Sequence, residues 1–396
     1  MKTVGGTWVH LAAGIAEKGL AFPVQLRYGL PSFVGACARW ENWQRQEVER
    51  KMAKTNPITT AVVGLGRIGW SHHAKLMNEH PGFEIVACVD PLAERQKEAK
   101  DTYHCATFAD LKDLLKTDLA ELVVVCTRSA DHCPHTVMAL RAGRHVLVEK
   151  PMAMSVREAD RMIAAAKKAR KVLTIHQSSR HSGGPRFIRE TIDSGILGDV
   201  FFMRLTGHSF FRRNDWQMLK KFGGGYLNNN GAHSVDFCIQ LLDSPVKDVW
   251  GDLKHTVTAG DADDWMKVVL RGKNGRVIEV EQSYACAFPQ PSWLVCGTCG
   301  TMQVAGREAH IKYFDPKNVK PIKVVEAAPA QRQYGNEDVL PWEEKTVEVK
   351  PSTPGPRFYE NLYDAIRKRK KLLITPESVR EQIRVLDAVR KSAGWK

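Results

Sequence analysis

The stretch ITTAVVGLGRIGWSHHAKLM, residues 58–77, decides the fold. Residues 58–63 carry no charge and predict a buried β-strand, and the apolar positions of residues 68–78 predict a helix. The motif GLGRIG at residues 64–69 stands at the turn between them. Glycine at its first position permits a tight turn, at its second lets the backbone approach a pyrophosphate, and at its third lets helix and strand pack closely. The stretch therefore predicts a dinucleotide site at a helix N-terminus.

A carboxylate follows the motif at the distance that a dinucleotide-binding fold uses. Asp90 comes directly after the next predicted strand, residues 83–89, about 20 residues beyond the motif. There it would accept hydrogen bonds from the ribose hydroxyls of NAD and repel a 2′-phosphate. We predict NAD, with NADP still possible because Arg95 could tolerate the extra phosphate. The cofactor-binding residues predicted from this pattern are Gly64, Gly66, Arg67, Ile68, Gly69 and Asp90.

From residue 57 to residue 178, apolar strands alternate with helices. The predicted strands lie at 58–63, 83–89, 122–126, 145–149 and 172–176. The predicted helices lie at 68–78, 92–102, 110–116, 133–142 and 155–168. Because strands that are buried on both faces are apolar throughout, this pattern predicts a parallel sheet between helices. We interpret residues 57–178 as an α/β Rossmann domain.

After residue 178 the pattern changes to closely spaced strands. The strands predicted there lie at 199–207, 246–257, 265–271, 276–284, 292–296, 301–305 and 310–313, with helices at 185–194 and 235–242. Such spacing predicts an α+β domain with a large, mainly antiparallel, open-faced sheet, which we place at residues 179–355. Residues 316–355 are polar and rich in proline, so we predict loops there. Two closing helices, at 356–369 and 376–392, are predicted to pack back on the Rossmann domain as residues 356–396.

Residues 1–56 fit neither pattern and are predicted to be an N-terminal extension. Residues 1–51 show no sustained period, and Met52 begins a segment, MAKTNPITTAVVGLGRIG, that would make a natural start. We therefore expect residues 1–51 to be upstream reading frame or a poorly ordered arm. An oligomerisation arm is the alternative.

Composition narrows the class of protein. The formal net charge is +14, yet much of it lies in predicted helices such as 365–371 without a nucleic-acid-binding signature, so we expect no nucleic-acid partner. No run of about 18 apolar residues occurs, which predicts no membrane span. The 9 cysteines lack framework spacing, and we expect reduced thiols and a cytoplasmic location. We interpret Cys296-Gly-Thr-Cys299 as a hairpin, with redox or zinc chemistry as the alternative.

Lys150 follows the predicted strand 145–149 in the sequence EKP. A lysine at the carboxyl end of a parallel strand stands where open α/β sheets bind their ligands. Its ammonium group could donate a hydrogen bond to a substrate hydroxyl or to a developing carbonyl oxygen. The alternative is a surface lysine before a turn proline.

Several motifs in order resemble the glucose–fructose oxidoreductase/inositol dehydrogenase (Gfo/Idh/MocA) family. They are GLGRIG with Asp90, residues 127–132, AGRHVLVEKP at 142–151 and the glycine-rich stretch at 223–236, and the likeness covers about residues 57–392. The resemblance implies a Rossmann domain joined to an open-faced sheet domain, and an enzyme that oxidises or reduces sugars and polyols. It implies that Lys150 is the active-site lysine and that His233 exchanges the substrate proton. It adds Thr127, His132, Glu149 and Lys150 to the predicted cofactor site.

Asn229 departs from the family's pattern, which commonly has an aspartate four residues before that histidine. An amide cannot stabilise a charged imidazole as a carboxylate does. We therefore predict that Asn229 hydrogen-bonds substrate oxygens and that His233 is a neutral base with an unperturbed pKa near ~6.5. The alternative for His233 is a histidine that caps the following helix.

Polar and aromatic side chains near these positions suit a hydroxylated ring. The predicted substrate-binding residues are His176, Gln177, Arg180, Arg213, Trp216, Asn229 and His233. For any single one of them, packing between domains is the alternative. His72 and His73 look like a metal pair, but adjacent helical residues face different ways, so we predict no metal.

The leading functional hypothesis is an NAD-dependent oxidoreductase that moves hydride between nicotinamide and a hydroxyl or keto carbon of a sugar, glycoside or polyol. Lys150, His233 and Asn229 are its predicted catalytic residues. One alternative is a glycosidase or lyase that oxidises its substrate transiently, eliminates, and then returns the hydride. Another is a non-catalytic regulator that senses NAD. From the resemblance we also expect a homodimer or homotetramer.

Overall fold

The computed structural model describes residues 56–322, 324, 326, 338–351 and 355–395. The predictions for residues 1–51, an upstream reading frame or an arm, fall outside this part of the chain. The described residues lie in one compact unit that spans residues 55–396. None of the helices in these ranges has the length and apolar character that a membrane-spanning segment needs.

The first sheet has six parallel strands in the order β3-β2-β1-β4-β5-β6. They are β1 (Ile58–Val63), β2 (Phe83–Val89), β3 (Ala106–Phe108), β4 (Leu122–Val125), β5 (His145–Val148) and β6 (Leu173–Ile175). All of β4 is buried, as expected for a strand with helices on both faces. The predicted Rossmann sheet is confirmed. The edge strand β3 was not predicted, because three residues are too few to show a period.

The helices of this half lie close to their predicted positions. They are α1 (Lys75–Glu79), which continues from a π-helical turn at Gly69–Ala74, then α2 (Ala93–Tyr103), α3 (Leu111–Leu114), α4 (His132–Arg141) and α5 (Val156–Ala169). Helix α5 begins where the Ser155 hydroxyl accepts a hydrogen bond from the Glu158 amide. Such a cap satisfies one of the amides that the first helical turn leaves free.

The second sheet has eight strands in the order β14-β13-β12-β11-β7-β10-β9-β8. Its pairs are antiparallel except β7 with β10, which confirms a mainly antiparallel sheet. The strands are β7 (Val200–His208), β8 (Val246–Lys254), β9 (Trp265–Gly272), β10 (Val277–Ser283), β11 (Trp293–Gly297), β12 (Gly300–Ala305), β13 (Glu308–Tyr313) and β14 (Glu343–Glu348).

Two predictions about this sheet have opposite outcomes. The hairpin at Cys296 and Cys299 is confirmed, because β11 and β12 pair with Gly297 opposite Gly300. The prediction of loops throughout 316–355 is wrong at Glu343–Glu348, which forms the edge strand β14. Its residues are mostly exposed and charged, so they lack the alternation by which a half-buried strand is recognised. Charged edge strands are common, since charge prevents pairing with other chains.

Helix α9 joins the two halves of the described unit. The helices beside the second sheet are α6 (Gly183–Asp193), α7 (Ala232–Leu242) and α9 (Pro376–Ser392). Helix α8 (Gly355–Lys368) packs on the Rossmann half, where Tyr359 contacts His73 and Arg367 pairs with Glu121. Helix α9 packs on β8, α5 and α7, and its Asp387 accepts a 2.9 Å hydrogen bond from the Val156 amide of α5. Gly251 of β8 lets it approach, because a Cβ there would lie 2.6 Å from a methyl of Val389. The carboxyl ends of β1, β4 and β5 thus meet the second half at a cleft.

Candidate active site

The glycine turn after β1 is built by backbone constraints. Gly64 has a φ of 90°, which strains any residue with a side chain. A Cβ on Gly69 would lie 1.9 Å from the Gly64 carbonyl oxygen, so the helical segment can approach the strand only through glycine. A Cβ on Gly66 would meet nothing within 4 Å, so the backbone there faces open space in the cleft. This arrangement fits the close approach of a pyrophosphate to main-chain amides.

Asp90 stands beside this turn at the end of β2 and is only 2% exposed. Its carboxylate accepts hydrogen bonds from the Leu65 amide at 2.8 Å and the Leu92 amide at 3.0 Å. The Arg95 guanidinium donates to the same carboxylate at 3.2 Å. Arg95 is already paired with Asp90, so the 2′-phosphate of NADP would have to compete with the Asp90 carboxylate for the Arg95 guanidinium. An acidic residue at this position is typical of ribose sites that favour NAD.

The cleft has a volume of about 1010 Å³ and extends from the glycine turn to the loops of the second half. This is the upper end of the roughly 300–1,000 Å³ typical of small-molecule sites. The predicted residues that line it are Gly64, Gly66, Arg67, Ile68, Asp90, Thr127, His132, Glu149, Lys150, Arg213, Trp216, Asn229 and His233. The structure thus places residues from distant parts of the sequence around one space.

Lys150 and Asn229 are in direct contact in this cleft. The Lys150 ammonium donates to the backbone oxygen of Asn229 at 2.9 Å and to its side-chain Oδ1 at 3.1 Å. Burial lowers the pKa of Lys150 below its usual value, the nearby Glu149 carboxylate raises it, and Arg213 and Arg67 lower it further. The neutral amide of Asn229 therefore orients the amine without adding a negative charge.

His233 lies at the start of α7, beyond a π-helical turn at Leu227–Gly231. Its Nδ1 is 2.8 Å from the hydroxyl of Ser179, which leaves Nε2 as the nitrogen available to the cleft. Burial, reinforced by the positive charge of Lys150, lowers the pKa of His233 to about 3. The prediction of an unperturbed pKa is therefore wrong, because it took no account of desolvation.

Glu149 lies behind Lys150 in a buried polar network. His73 Nε2 and His176 Nδ1 lie 2.9 and 2.8 Å from its Oε1, and Oε2 accepts the Lys150 amide at 3.0 Å. The Tyr359 hydroxyl is 2.9 Å from His73 Nδ1. These contacts hold the pKa of Glu149 well below its usual value despite burial. An ionised carboxylate has no hydrogen, so both imidazoles donate to it.

The two adjacent histidines on the π-helical turn were expected to face apart, and this is wrong. His73 reaches Glu149, while His72 Nε2 lies 3.4 Å from His176 Nε2, so His176 contacts both. His73, Glu149 and His176 offer three possible metal-ligand atoms within 4.8 Å of one another. A metal ion could bind there only after both imidazoles lost the protons they donate to Glu149. The absence of a metal stays a prediction.

Some predicted site residues lie outside the lining of the cleft. Arg180 pairs with buried Asp236 at 2.7 Å and donates to the Ser378 hydroxyl, so its charge is used in packing. Gln177 is fully buried and donates to the Ala232 carbonyl, next to His233. His176 belongs to the Glu149 network, and Gly69 lies beneath the turn. These four residues contact the elements that hold the site.

Other residues line the cleft without having been predicted as site residues. They include Asp131, Gln217, Asn230 and Tyr284. Tyr284 follows β10 directly, so its place at a strand end was a usable signal. Arg213 donates to Asp215 at 2.7 Å and also hydrogen-bonds Gln217, which fixes this loop. Ser179 had no sequence signal, since its contact with His233 depends on how the 3-10 turn at Ser178–His181 packs on α7.

Comparison with protein-family models gives two matches. The oxidoreductase family with an NAD-binding Rossmann fold, Gfo/Idh/MocA, matches residues 58–177, and the Gfo/Idh/MocA C-terminal domain matches residues 186–303. The first match contains the glycine turn, Asp90 and Lys150. The second contains Asn229 and His233. Together they cover more than half of the chain.

Curated relatives support the same grouping. The chain is 27% identical over 270 residues to the D-glucoside 3-dehydrogenase of Escherichia coli K12, covering 62% of this chain and 76% of that protein. It is 25% identical over 259 residues to the 2,7-anhydro-N-acetylneuraminate hydratase of the same organism, covering 63% and 68%.

Solved structures show the same fold. An NAD-binding protein from Listeria innocua aligns with a TM-score of 0.73 at 23% identity, covering 86% of this chain and 95% of that one. The WlbA dehydrogenase from Bordetella pertussis, in complex with NADH and UDP-GlcNAcA, aligns with a TM-score of 0.67 at 22% identity, covering 86% and 97%.

Proposed function

The chain belongs to the Gfo/Idh/MocA family of oxidoreductases with an NAD-binding Rossmann fold, and on that premise we propose that it transfers hydride between NAD and a hydroxyl or keto carbon of a sugar, glycoside or polyol. The observation that carries this proposal is that Lys150, Asn229 and His233 line the same cleft as the glycine turn. Hydride transfer needs a proton-handling group beside the nicotinamide, and this arrangement supplies two.

NAD would be held by the turn around Gly66 and by Asp90, with Thr127 and His132 also lining the cleft. His132 is fixed there, because its two ring nitrogens lie 2.7 Å from the Pro151 carbonyl and 3.2 Å from the Thr127 carbonyl. When bound, NAD accepts or returns the hydride. The protein residues bind it, exclude water and handle the substrate proton.

We assign the proton to Lys150 Nζ. Burial, together with the positive charge of Lys150, lowers the pKa of His233 to about 3, so its imidazole is neutral at pH 7 and is a weak proton acceptor. Lys150 has a pKa lowered by burial, and as a neutral amine it can take a proton from the substrate hydroxyl. In the reverse direction its ammonium donates to the carbonyl oxygen. His233 orients that oxygen through Nε2.

The proposed substrate class rests on the rest of the lining. Arg213, Asp215 and Gln217 offer hydrogen-bonding groups, and Trp216 and Tyr284 offer aromatic surface. A hydroxylated ring uses both, because its hydroxyls need partners and its C–H faces pack on aromatic rings. One relative is a D-glucoside 3-dehydrogenase, and a glucoside belongs to the proposed substrate class.

A second candidate is a lyase or hydratase that oxidises its substrate transiently and returns the hydride. Two observations favour this second candidate. Asn229 stands where the family pattern commonly has an aspartate. One relative is a 2,7-anhydro-N-acetylneuraminate hydratase. In this candidate Lys150 would act on two protons in succession. The two candidates differ in whether NADH accumulates.

The proposed function is tested by incubating the purified protein with NAD and sugars, polyols or glycosides, and with NADH and keto-glycosides, while following NADH absorbance and product mass. Accumulating NADH in proportion to oxidised product supports the oxidoreductase. Product formed at catalytic NAD without net NADH supports the second candidate. If no compound of the panel gives a redox change or a product, both candidates are contradicted.

The organisation of the chain is proposed on the same basis. We place the Rossmann domain at 57–178, the second domain at 179–355 and the closing helices at 356–396. A homodimer or homotetramer and a cytoplasmic location also stay predictions.

A further inference from the structure

Three aromatic rings form a continuous series beside the cleft, which we call the aromatic ladder: Tyr226, Tyr284 and Phe211. The Tyr226 and Tyr284 ring centroids are 4.2 Å apart, and those of Tyr284 and Phe211 are 6.0 Å apart with the planes at 70°. Exposure rises along the ladder, since Tyr226 is 5% exposed and Phe211 is 57% exposed. The ladder therefore leads from the core to the surface.

The middle ring connects the ladder to the proposed substrate site. Tyr284 lines the cleft, and its hydroxyl accepts a hydrogen bond from Arg213 at 3.4 Å. The Phe211 amide donates to the Tyr284 carbonyl at 3.0 Å, and the Cys286 amide donates to the Ser209 carbonyl at 3.0 Å. These backbone bonds join the two segments, so Phe211 is held beside Tyr284.

The outer end of the ladder is apolar and exposed. Phe211 is 57% exposed, and Phe288, on the segment that follows Tyr284, is 85% exposed. Exposed apolar surface beside a cleft is typical of ligand-binding grooves. An occupant that reaches both the cleft and Phe211 must carry a polar part and an apolar part, and an aromatic ring is the apolar group that pairs best with the rings of Tyr284 and Phe211.

We propose that the aromatic ladder is the binding subsite for the aglycone of a glycoside substrate, and that this aglycone is aromatic. The inference rests on the proposed function, because it requires a sugar ring beside Lys150 and Arg213. A free sugar would leave the Phe211 ring in water. A glycoside places its aglycone on the outward side of the sugar, where Tyr284 and Phe211 present their rings.

Occupation by a second copy of the chain is the competing outcome. The observation that favours the aglycone is the continuity of the ladder with the cleft through Tyr284. A contact between copies would need only the exposed phenylalanines and would not depend on a connection to a cleft-lining ring.

The test compares phenyl and methyl β-glycosides of glucose and galactose as substrates. The variants are Phe211→Ala, Phe211→Leu and the matched control Phe210→Ala. Phe210 is equally exposed, and in an extended segment the neighbouring side chain points to the other face. We expect the native chain and Phe210→Ala to prefer phenyl glycosides by about 3- to 10-fold in kcat/KM, from one aromatic pairing. Phe211→Ala should reduce that ratio to about one, with Phe211→Leu between.

Several outcomes would overturn the inference. These are a native ratio of about one, a ratio unchanged in Phe211→Ala, or an altered oligomeric mass of Phe211→Ala without a changed ratio. Turnover of all four glycosides at equal efficiency would leave the proposed function standing and remove only the subsite.

If none of the glycosides is turned over, binding to the NADH-loaded protein separates the two failures. Saturation-transfer NMR that shows aglycone protons in contact, lost in Phe211→Ala and kept in Phe210→Ala, supports the subsite while the proposed reaction fails. Absence of phenyl glycoside binding in that measurement overturns the subsite as well.

Discussion

The two walls of the cleft are built in different ways. The proposed cofactor wall consists of the glycine turn and Asp90, and the main chain defines it, since the carboxylate itself accepts hydrogen bonds from two backbone amides. The proposed catalytic wall consists of Lys150, Asn229 and His233, and side chains define it. Lys150 and Asn229 meet although 79 residues separate them.

This difference teaches which property a substitution should change on each wall. Where the main chain makes the site, a new Cβ alters the fit of the fold or of the cofactor. Where desolvated side chains make the site, a substitution alters protonation and turnover. The following predictions test whether these two kinds of effect can be separated.

The largest expected effect is on turnover in the catalytic wall. Lys150→Ala should lower kcat by about 10²–10⁴-fold, because it removes the proposed proton-handling group. The NADH dissociation constant, measured by fluorescence titration, should change by no more than about twofold. Exposed Lys112 supplies the control, and Lys112→Ala should change neither quantity.

Equal losses of kcat and NADH affinity in Lys150→Ala would contradict this separation. They would mean that Lys150 holds the cofactor and that the proton is handled elsewhere. His233→Gln, which keeps a hydrogen-bonding side chain but cannot take a proton, would then be the variant to examine.

The next prediction compares two glycines of the cofactor wall. A Cβ on Gly69 would lie 1.9 Å from backbone, so Gly69→Ala should lower the free energy of unfolding by about 3 kcal/mol. A Cβ on Gly66 meets nothing within 4 Å, so Gly66→Ala should fold normally but bind NAD more weakly. Denaturant unfolding and NADH titration of both variants measure the two effects. Normal NADH affinity in Gly66→Ala would show that the cofactor does not approach this backbone.

The same contrast explains what the sequence could predict. The glycine turn and Asp90 are local features, fixed by spacing along a strand–turn–helix unit, and they were predicted to the residue. Lys150 was predicted because the end of a parallel strand is a recognisable position. The fold of both halves followed from strand patterns, except for the three-residue edge strand β3 and for β14, which carries charge on an exposed edge.

What could not be predicted depends on burial and on contacts between distant elements. The lowered pKa of His233 comes from desolvation, which a sequence does not display. Ser179 contacts His233 only because the 3-10 turn at Ser178–His181 packs on α7. His176 looked like a substrate ligand, yet it donates to Glu149. Arg180 looked like one too, and its charge is used by Asp236.

The smallest expected effect, about tenfold, tests the amide that distinguishes this catalytic wall. Asn229→Asp would put a carboxylate where Oδ1 now lies 3.1 Å from the Lys150 ammonium. A negative charge at that distance favours the charged amine and should raise the pKa of Lys150. Oxidation needs the neutral amine, so the rising limb of the plot of kcat against pH should move to higher pH. Below that limb, turnover should fall about tenfold, while at high pH it should match the native chain.

The isosteric exchange makes this prediction sharp, because it changes charge with almost no change in volume. Asn229→Ala is the companion variant, since it removes Oδ1 and keeps the backbone contact at 2.9 Å, and its limb should not move upward. If the limb in Asn229→Asp stays in place, Lys150 does not set it, and the proton belongs to His233. A carboxylate there would then act on the imidazole instead, raising the pKa of His233 from about 3 and increasing turnover at neutral pH.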